Sequence, residues 1–267
     1  MTNRLEPILL QKKREVAVLH QRLENDTNHP IAQVLRGELQ LRRSANFKNV
    51  LKSSSLTVIA EIKRKSPSKG VIASIADPIH LAQRYILGGA NALSILTDKE
   101  FFGGHIDDLT QVADIIHNQS IPIIRKDFII DNVQIAEAAV AGASAVLLIV
   151  SILGKKTKAL LEFARSIKID VLVEIHDHDE LKIALDSGAD IIGINNRDLN
   201  TFVVDTQRAI QIVPAIPNSV IKVAESGITD PALARQYYQA GFDAVLIGEA
   251  LVKSDDPEHF IQGCRHG

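Results

Sequence analysis

Eight short runs of apolar, largely β-branched residues follow one another along this chain: TVIAEI (57–62), ALSIL (92–96), IPIIRK (121–126), AVLLIV (145–150), VLVEI (171–175), DIIGIN (190–195), VIKVAE (220–225) and AVLIGE (244–249). Such runs predict strands buried on both faces. Between them lie amphipathic stretches with a helical period, such as DNVQIAEAAVAGA and DHDELKIALDSGA. Several reach the next strand through a glycine, as in GGANALSIL, AGASAVLLI, DSGADIIGI and AGFDAVLIG. A glycine just past the last helical turn is a stop signal, because it takes the left-handed backbone there without a Cβ clash. Eight βα units in succession predict an α/β fold, a single (β/α)8 TIM barrel. The rival is an open doubly wound sheet. That fold more often uses about five or six strands, and its G-x-G-x-x-G fingerprint is absent here.

Ahead of the first strand, Leu5, Ile8, Leu9, Val16, Leu19 and Leu23 fall at helical spacings. Pro30 interrupts, and a second pattern runs through Ile31, Val34, Leu35 and Leu39. Residues 1–45 are therefore expected as a helical extension packed on a catalytic barrel domain of residues 46–267. With 267 residues, 46% of them hydrophobic, the chain can bury one such core. A net charge of -2 offers no basic excess for nucleic acid, so none is expected as a partner. Cys264 is the only cysteine; without an internal disulfide, a reducing compartment, the cytoplasm, is expected. Charges break MTNRLEPILLQKKREV too early for a secretory segment, and no window approaches 18 uncharged apolar residues, so neither export nor a membrane partner is expected.

In barrels of this kind the chemistry sits at the C-terminal ends of the strands. Charged and polar residues gather there: Glu61 and Lys63, Lys126, Glu174, Asn195 and Arg197, Glu225 and Ser226, and Glu249 after Gly248. Glu61 and Lys63 stand two apart, which puts both on one face of an extended chain. They are expected to point into a barrel mouth that holds a polar ligand. A purely structural ion-pair network of Glu61, Lys63, Lys126 and Glu174 is the alternative, disfavoured because buried charges are costly even when paired. A phosphate-binding end is expected from Ser226 and Gly227 in AESGIT and from Gly248 in IGEAL. Backbone N–H groups at a turn and a helix start after the last two strands offer an anion site. His176 and His178 in EIHDHDE stand beside acids, but Asp177 with Glu180 reads as a capping box, and no metal is expected. GKKTK lacks the upstream glycine of a P-loop. The basic run Arg64, Lys65 and Lys69 suits a loop over an anionic substrate.

Taken together, VIAEIKRKSPSKG, LTDKEFFGG, IRKDFIID, VLLIV, VLVEIHD, IGINNRDL, AESGI and LIGEAL make the chain resemble the indole-3-glycerol phosphate synthase family from Phe47 to its end. The resemblance implies ring closure of 1-(2-carboxyphenylamino)-1-deoxyribulose 5-phosphate to indole-3-glycerol phosphate, with loss of carbon dioxide and water. It implies general acid/base catalysis without a cofactor, on a small phosphorylated substrate. It also implies Lys126 as the acid that protonates the substrate carbonyl, and Glu174 as a stabiliser of the cationic intermediate or an aid to proton transfer. Lys63 and Glu61 would be the acid and base of the dehydration; which lysine serves which step stays open. Arg197 would clamp the anthranilate carboxylate, and Asn195 would hydrogen-bond the ribulose-derived hydroxyls. Phe128 and the aliphatic residues of the fourth strand would pack the ring, Ser66 in KSPSKG would close over the same end, and Glu225 would contact substrate. Ser226, Gly227, Gly248 and the backbone of Glu249 would hold the phosphate. A monomer is expected, with a weak homo-oligomer as the alternative. Two other readings stay open: a barrel aldolase in which Lys63 or Lys126 forms a Schiff base, and a phosphate-ligand-binding barrel without catalysis.

Overall fold

The computed structural model describes residues 5–39, 41, 46–66, 70–73, 75, 77–199 and 201–266. Lys69, with the middle of KSPSKG, lies outside the described residues. The eight expected runs form the strands β1 (Thr57–Ile62), β2 (Ala92–Leu96), β3 (Ile123–Lys126), β4 (Ala145–Ile149), β5 (Asp170–Ile175), β6 (Ile191–Asn195), β7 (Ile221–Glu225) and β8 (Ala244–Ile247). Neighbours pair in parallel, and β8 returns to β1 with Ala244 opposite Thr57, which closes the barrel and removes the open-sheet alternative. The glycine stops form as read. At Gly142 (φ 94°), for example, the N–H of Ala143 donates to Ala138 O (2.9 Å) and that of Gly142 to Ala139 O (3.2 Å). These crossed bonds satisfy the last helical carbonyls and turn the chain directly into β4.

Alternation along the strands builds the site. Residues facing the barrel axis form one apolar cluster that includes Ile59, Ile124, Leu147, Leu172, Val223 and Leu246. Their neighbours Val58, Ala60, Val146, Val173 and Val245 face the helices and belong to a second cluster. Two residues beyond each axial position, the same face carries Glu61, Lys126, Ile149, Glu174, Glu225 and Gly248. The polar layer is thus the next storey above a packed apolar one.

Three helices precede β1. α3 (Phe47–Leu51) closes the lower end: Phe47 and Leu51 are buried in the axial cluster, and the Lys48 ammonium sits 2.8 Å from Asp190 Oδ1. α1 (Leu5–Asn25) brings Ile8 into the same cluster as Phe128, at the upper end. α2 (Pro30–Leu35) lays Ile31, Ala32 and Val34 against Val133 and Ala136 of the helix Asn132–Val140. The capping box expected after β5 forms only by half. Asp177 accepts from the Glu180 N–H (2.8 Å), but Glu180 reaches past it to the His176 N–H (2.7 Å). His176 Nδ1 lies 3.1 Å from the same oxygen, so one carboxylate meets two groups there. Among the described residues no helix is long and apolar enough to cross a membrane.

Candidate active site

The upper end of the barrel opens into a cavity of about 550 Å³. Glu61, Lys63, Ser66, Lys126, Phe128, Glu174, Asn195, Arg197, Glu225, Ser226, Gly227, Gly248 and Glu249 all line it, so the structure brings together every expected site residue. At its centre Lys126 Nζ stands 3.3 Å from Glu174 Oε2 and 3.5 Å from Glu225 Oε2. Beside them Lys63 Nζ pairs with Glu61 Oε1 at 2.7 Å.

These charges share a buried space, and their protonation follows from their neighbours. Burial works against the Lys126 ammonium, but Glu174, Glu225 and Glu61 outweigh it and hold its pKa above the ordinary lysine value. A lysine so held is a poor nucleophile, which speaks against an imine at this position. Burial also opposes the Glu174 carboxylate, yet Lys126, His176 and Asn195 bring its pKa below the ordinary value. Glu225 goes the other way: burial and the charge of Glu174 push it up to about 8, against the pull of Lys126. Two neighbouring carboxyls pushed apart in this manner give one anion and one proton carrier at neutral pH.

The wall is divided by chemistry. Phe128, Phe102, Leu96, Leu147 and Ile149 make one side apolar, with the two phenyl rings 5.8 Å apart. Opposite, Ser226 (φ 62°) and Gly227 (φ 81°) turn the chain sharply after β7, and Gly248 opens the short helix Glu249–Lys253. A Cβ at Gly248 would collide with the Glu61 carboxylate. The Glu249 side chain pairs with Lys253 (2.8 Å), and both residues line the cavity. Arg197 is braced by its own loop: its N–H donates to Asn195 Oδ1 (3.0 Å) and its Nη1 to Phe202 O (3.3 Å). Ser66 lies in a two-residue antiparallel pairing of Lys65–Ser66 with Gly70–Val71.

Sequence reasoning missed three contributors. Lys12 is 1% exposed, and its Nζ lies 2.9 Å from both Asp98 Oδ2 and Asp127 Oδ1, tying α1 to the loops after β2 and β3. A signal existed: position 12 falls on the stripe of Leu5, Ile8, Val16 and Leu19, where a lysine is out of place. Gly193 is the second, since a Cβ there would occupy the space of the Glu225 carboxylate. Phe102 is the third; it follows Asp98, whose carboxylate caps its short helix.

The indole-3-glycerol phosphate synthase family model matches residues 5–263. The chain is 43% identical over 252 residues to the indole-3-glycerol phosphate synthase of Thermoanaerobacter pseudethanolicus, covering 94% of this chain and 93% of that protein. The chain belongs to the indole-3-glycerol phosphate synthase family. The synthase of Chlorobium phaeobacteroides is 43% identical over 260 residues, covering 96% and 97% of the two chains. That of Chloroherpeton thalassium is 49% identical over 206 residues, covering 76% and 77%. Among solved structures, thiamine phosphate pyrophosphorylase from Pyrococcus furiosus superposes with a TM-score of 0.60 at 16% identity, covering 82% of this chain and 96% of that one. At that identity the likeness is one of fold alone. Membership of the synthase family makes the chain a carboxy-lyase of tryptophan biosynthesis.

Proposed function

We propose that this cavity closes the indole ring of 1-(2-carboxyphenylamino)-1-deoxyribulose 5-phosphate, releasing carbon dioxide and water to give indole-3-glycerol phosphate. The observation that carries the reading is the position of Lys126, ionised between Glu174 and Glu225 in a cavity lined on one side by an apolar wall and on the other by the glycine-containing turns after β7 and β8. The substrate has that polarity: an aromatic carboxylate at one end, a ketose in the middle and a phosphate at the other. A cavity of about 550 Å³ suits a ligand of this size.

In this reading the ring packs on Phe128, Leu147 and Ile149, Arg197 faces its carboxylate, and Asn195 and Glu225 meet the hydroxyls of the sugar chain. Ser66 closes over the carboxylate end. Ser226, Gly227, Gly248 and the Glu249 backbone N–H hold the phosphate. The aromatic carbon attacks the ketone carbon, and Lys126 supplies the proton as negative charge develops on the oxygen. Glu174 faces the positive charge that the ring and its nitrogen then carry. Loss of carbon dioxide restores the aromatic ring. The new hydroxyl departs as water with a proton from Lys63, while Glu61, its ion-pair partner, takes a proton from the neighbouring carbon. Residues 46–267 form the catalytic unit in this reading, with the preceding helices as an extension held on it through Lys12. The single buried cysteine, Cys264, suits a cytoplasmic enzyme.

The test is direct, because the chain has no Trp and product indole fluoresces against a dark background. Purified protein mixed with the substrate, without added metal or nucleotide, is expected to generate that signal. Lys126→Ala is expected to lose about three orders of magnitude in kcat. Binding without turnover in the wild type would overturn the synthase reading, and undiminished turnover in the variant would remove Lys126 as the acid.

A further inference from the structure

Glu174 and Glu225 flank Lys126 almost symmetrically, at 3.3 and 3.5 Å, and each is 1% exposed. What lies behind them differs. Neither carboxylate oxygen of Glu225 has a hydrogen-bond partner, and this side chain lies across the bare face of Gly193. Behind Glu174 stands His176: its Nε2 faces Glu174 Oε1 at 3.6 Å, and both atoms are buried without another hydrogen-bond partner. The imidazole is anchored on its far side, with Nδ1 3.1 Å from Glu180 Oε2. His176 is absent from the cavity wall, so it reaches the chemistry only through Glu174.

We propose that His176 is a positioning residue that stands as an imidazolium behind Glu174 and keeps it ionised beside Lys126, while Glu225, with no such cation behind it, carries the proton. The proposal rests on the reading of Glu174 as the carboxylate that faces the cationic intermediate. Charge balance supports it. With only two ammonium groups, Lys63 and Lys126, for the three carboxyls Glu61, Glu174 and Glu225, one carboxyl keeps its proton, and a cation behind Glu174 leaves that proton to Glu225. The groups facing His176 are Glu174 on β5, Glu180 on the helix His178–Asp186 and, further off, Glu225 on β7; all are acids. The helix Val150–Leu153, packed beside β5, contributes no titratable group. Burial and the Lys126 ammonium on the far side of Glu174 oppose protonation of the ring, and the acids outweigh them, raising its pKa above the ordinary histidine value. The result is one carboxylate fixed as an anion for charge stabilisation and its neighbour kept as a hydrogen-bond donor.

Two measurements test this. The first is the pH profile of kcat for wild type, His176→Asn and Glu174→Gln, followed by indole fluorescence. His176→Asn is expected to displace the acid limb to higher pH, so that kcat falls about tenfold at the acid end and the deficit narrows as pH rises. The second is an NMR titration of ¹⁵N-labelled histidine in wild type and Glu174→Gln, with the His176 resonance assigned by its loss in His176→Asn. Removing the Glu174 charge is expected to lower the titration midpoint of His176. A His176→Asn profile scaled down equally at every pH would mark a merely structural role and overturn the proposal, as would an unchanged midpoint in Glu174→Gln. Full kcat in Glu174→Gln would instead sink the role given to Glu174, and the proposal with it. The NMR arm does not depend on turnover, so the two failures are distinguishable.

Discussion

Glu225→Gln should make the protein more stable, and only above a certain pH. Glu225 is 1% exposed, and burial together with the charge of Glu174 pushes its pKa up to about 8 from an ordinary 4.5. Between those values the folded chain holds a proton that the unfolded chain has lost. The unfolded state therefore binds fewer protons across this window, and stability falls as pH rises through it, then levels off above about 8. Each pH unit inside the window removes ~1.4 kcal/mol, so this group alone withdraws ~3–5 kcal/mol by pH 8. Glutamine has nearly the same shape and cannot ionise. Urea unfolding of wild type and variant, from pH 5 to pH 8 in about four steps, reads the difference. A constant offset from the lost Lys126 contact is allowed. On top of it, the variant should gain on the wild type by ~3 kcal/mol or more between the two ends. A stability difference that stays flat across this range would refute the assignment of the proton to Glu225. The same substitution should lower kcat, which makes the site one where stability has been given up for function.

Two further outcomes follow from the supporting structure. Lys12→Met leaves Asp98 and Asp127 without their shared ammonium, so it should destabilise by ~3–5 kcal/mol. Thermal unfolding checks this, and an unchanged Tm would show that Arg125, 3.2 Å from Asp127, suffices as its cation. Gly248→Ala places a methyl group against Glu61 and near Lys63, so kcat/KM should drop at least about a hundredfold while circular dichroism stays native. Full activity there would mean that the Glu61–Lys63 pair can shift without consequence.

Much of the site could be read from the chain because its logic is local. A strand has a period of two, so once Ile124 faces the axis, Lys126 must face the mouth; the same holds for Leu172 and Glu174, and for Val223 and Glu225. Glycine stops and apolar runs mark the ends of helices and strands within a few residues of one another. That is why the barrel, its polar storey and its glycine-lined end could all be expected from the sequence.

What the sequence could not decide depends on groups far apart in the chain meeting in a space with little water. Lys12 stands out on the apolar stripe of α1, but its partners are hidden until Asp98 and Asp127, far along the chain, converge on it. Gly193 looks like an ordinary strand residue until the Glu225 side chain fills the space beside it. The half-formed capping box at Asp177 was misread for a related reason: the short motif fits, but the Glu180 carboxylate had a second donor in His176. Three glutamates on three strand ends carry no mark of which keeps its proton. Residue order sets which side chains enter the mouth; the charges behind them, brought there only by closure of the barrel, set what each can do, because Coulomb interactions act across space and strengthen where water is excluded.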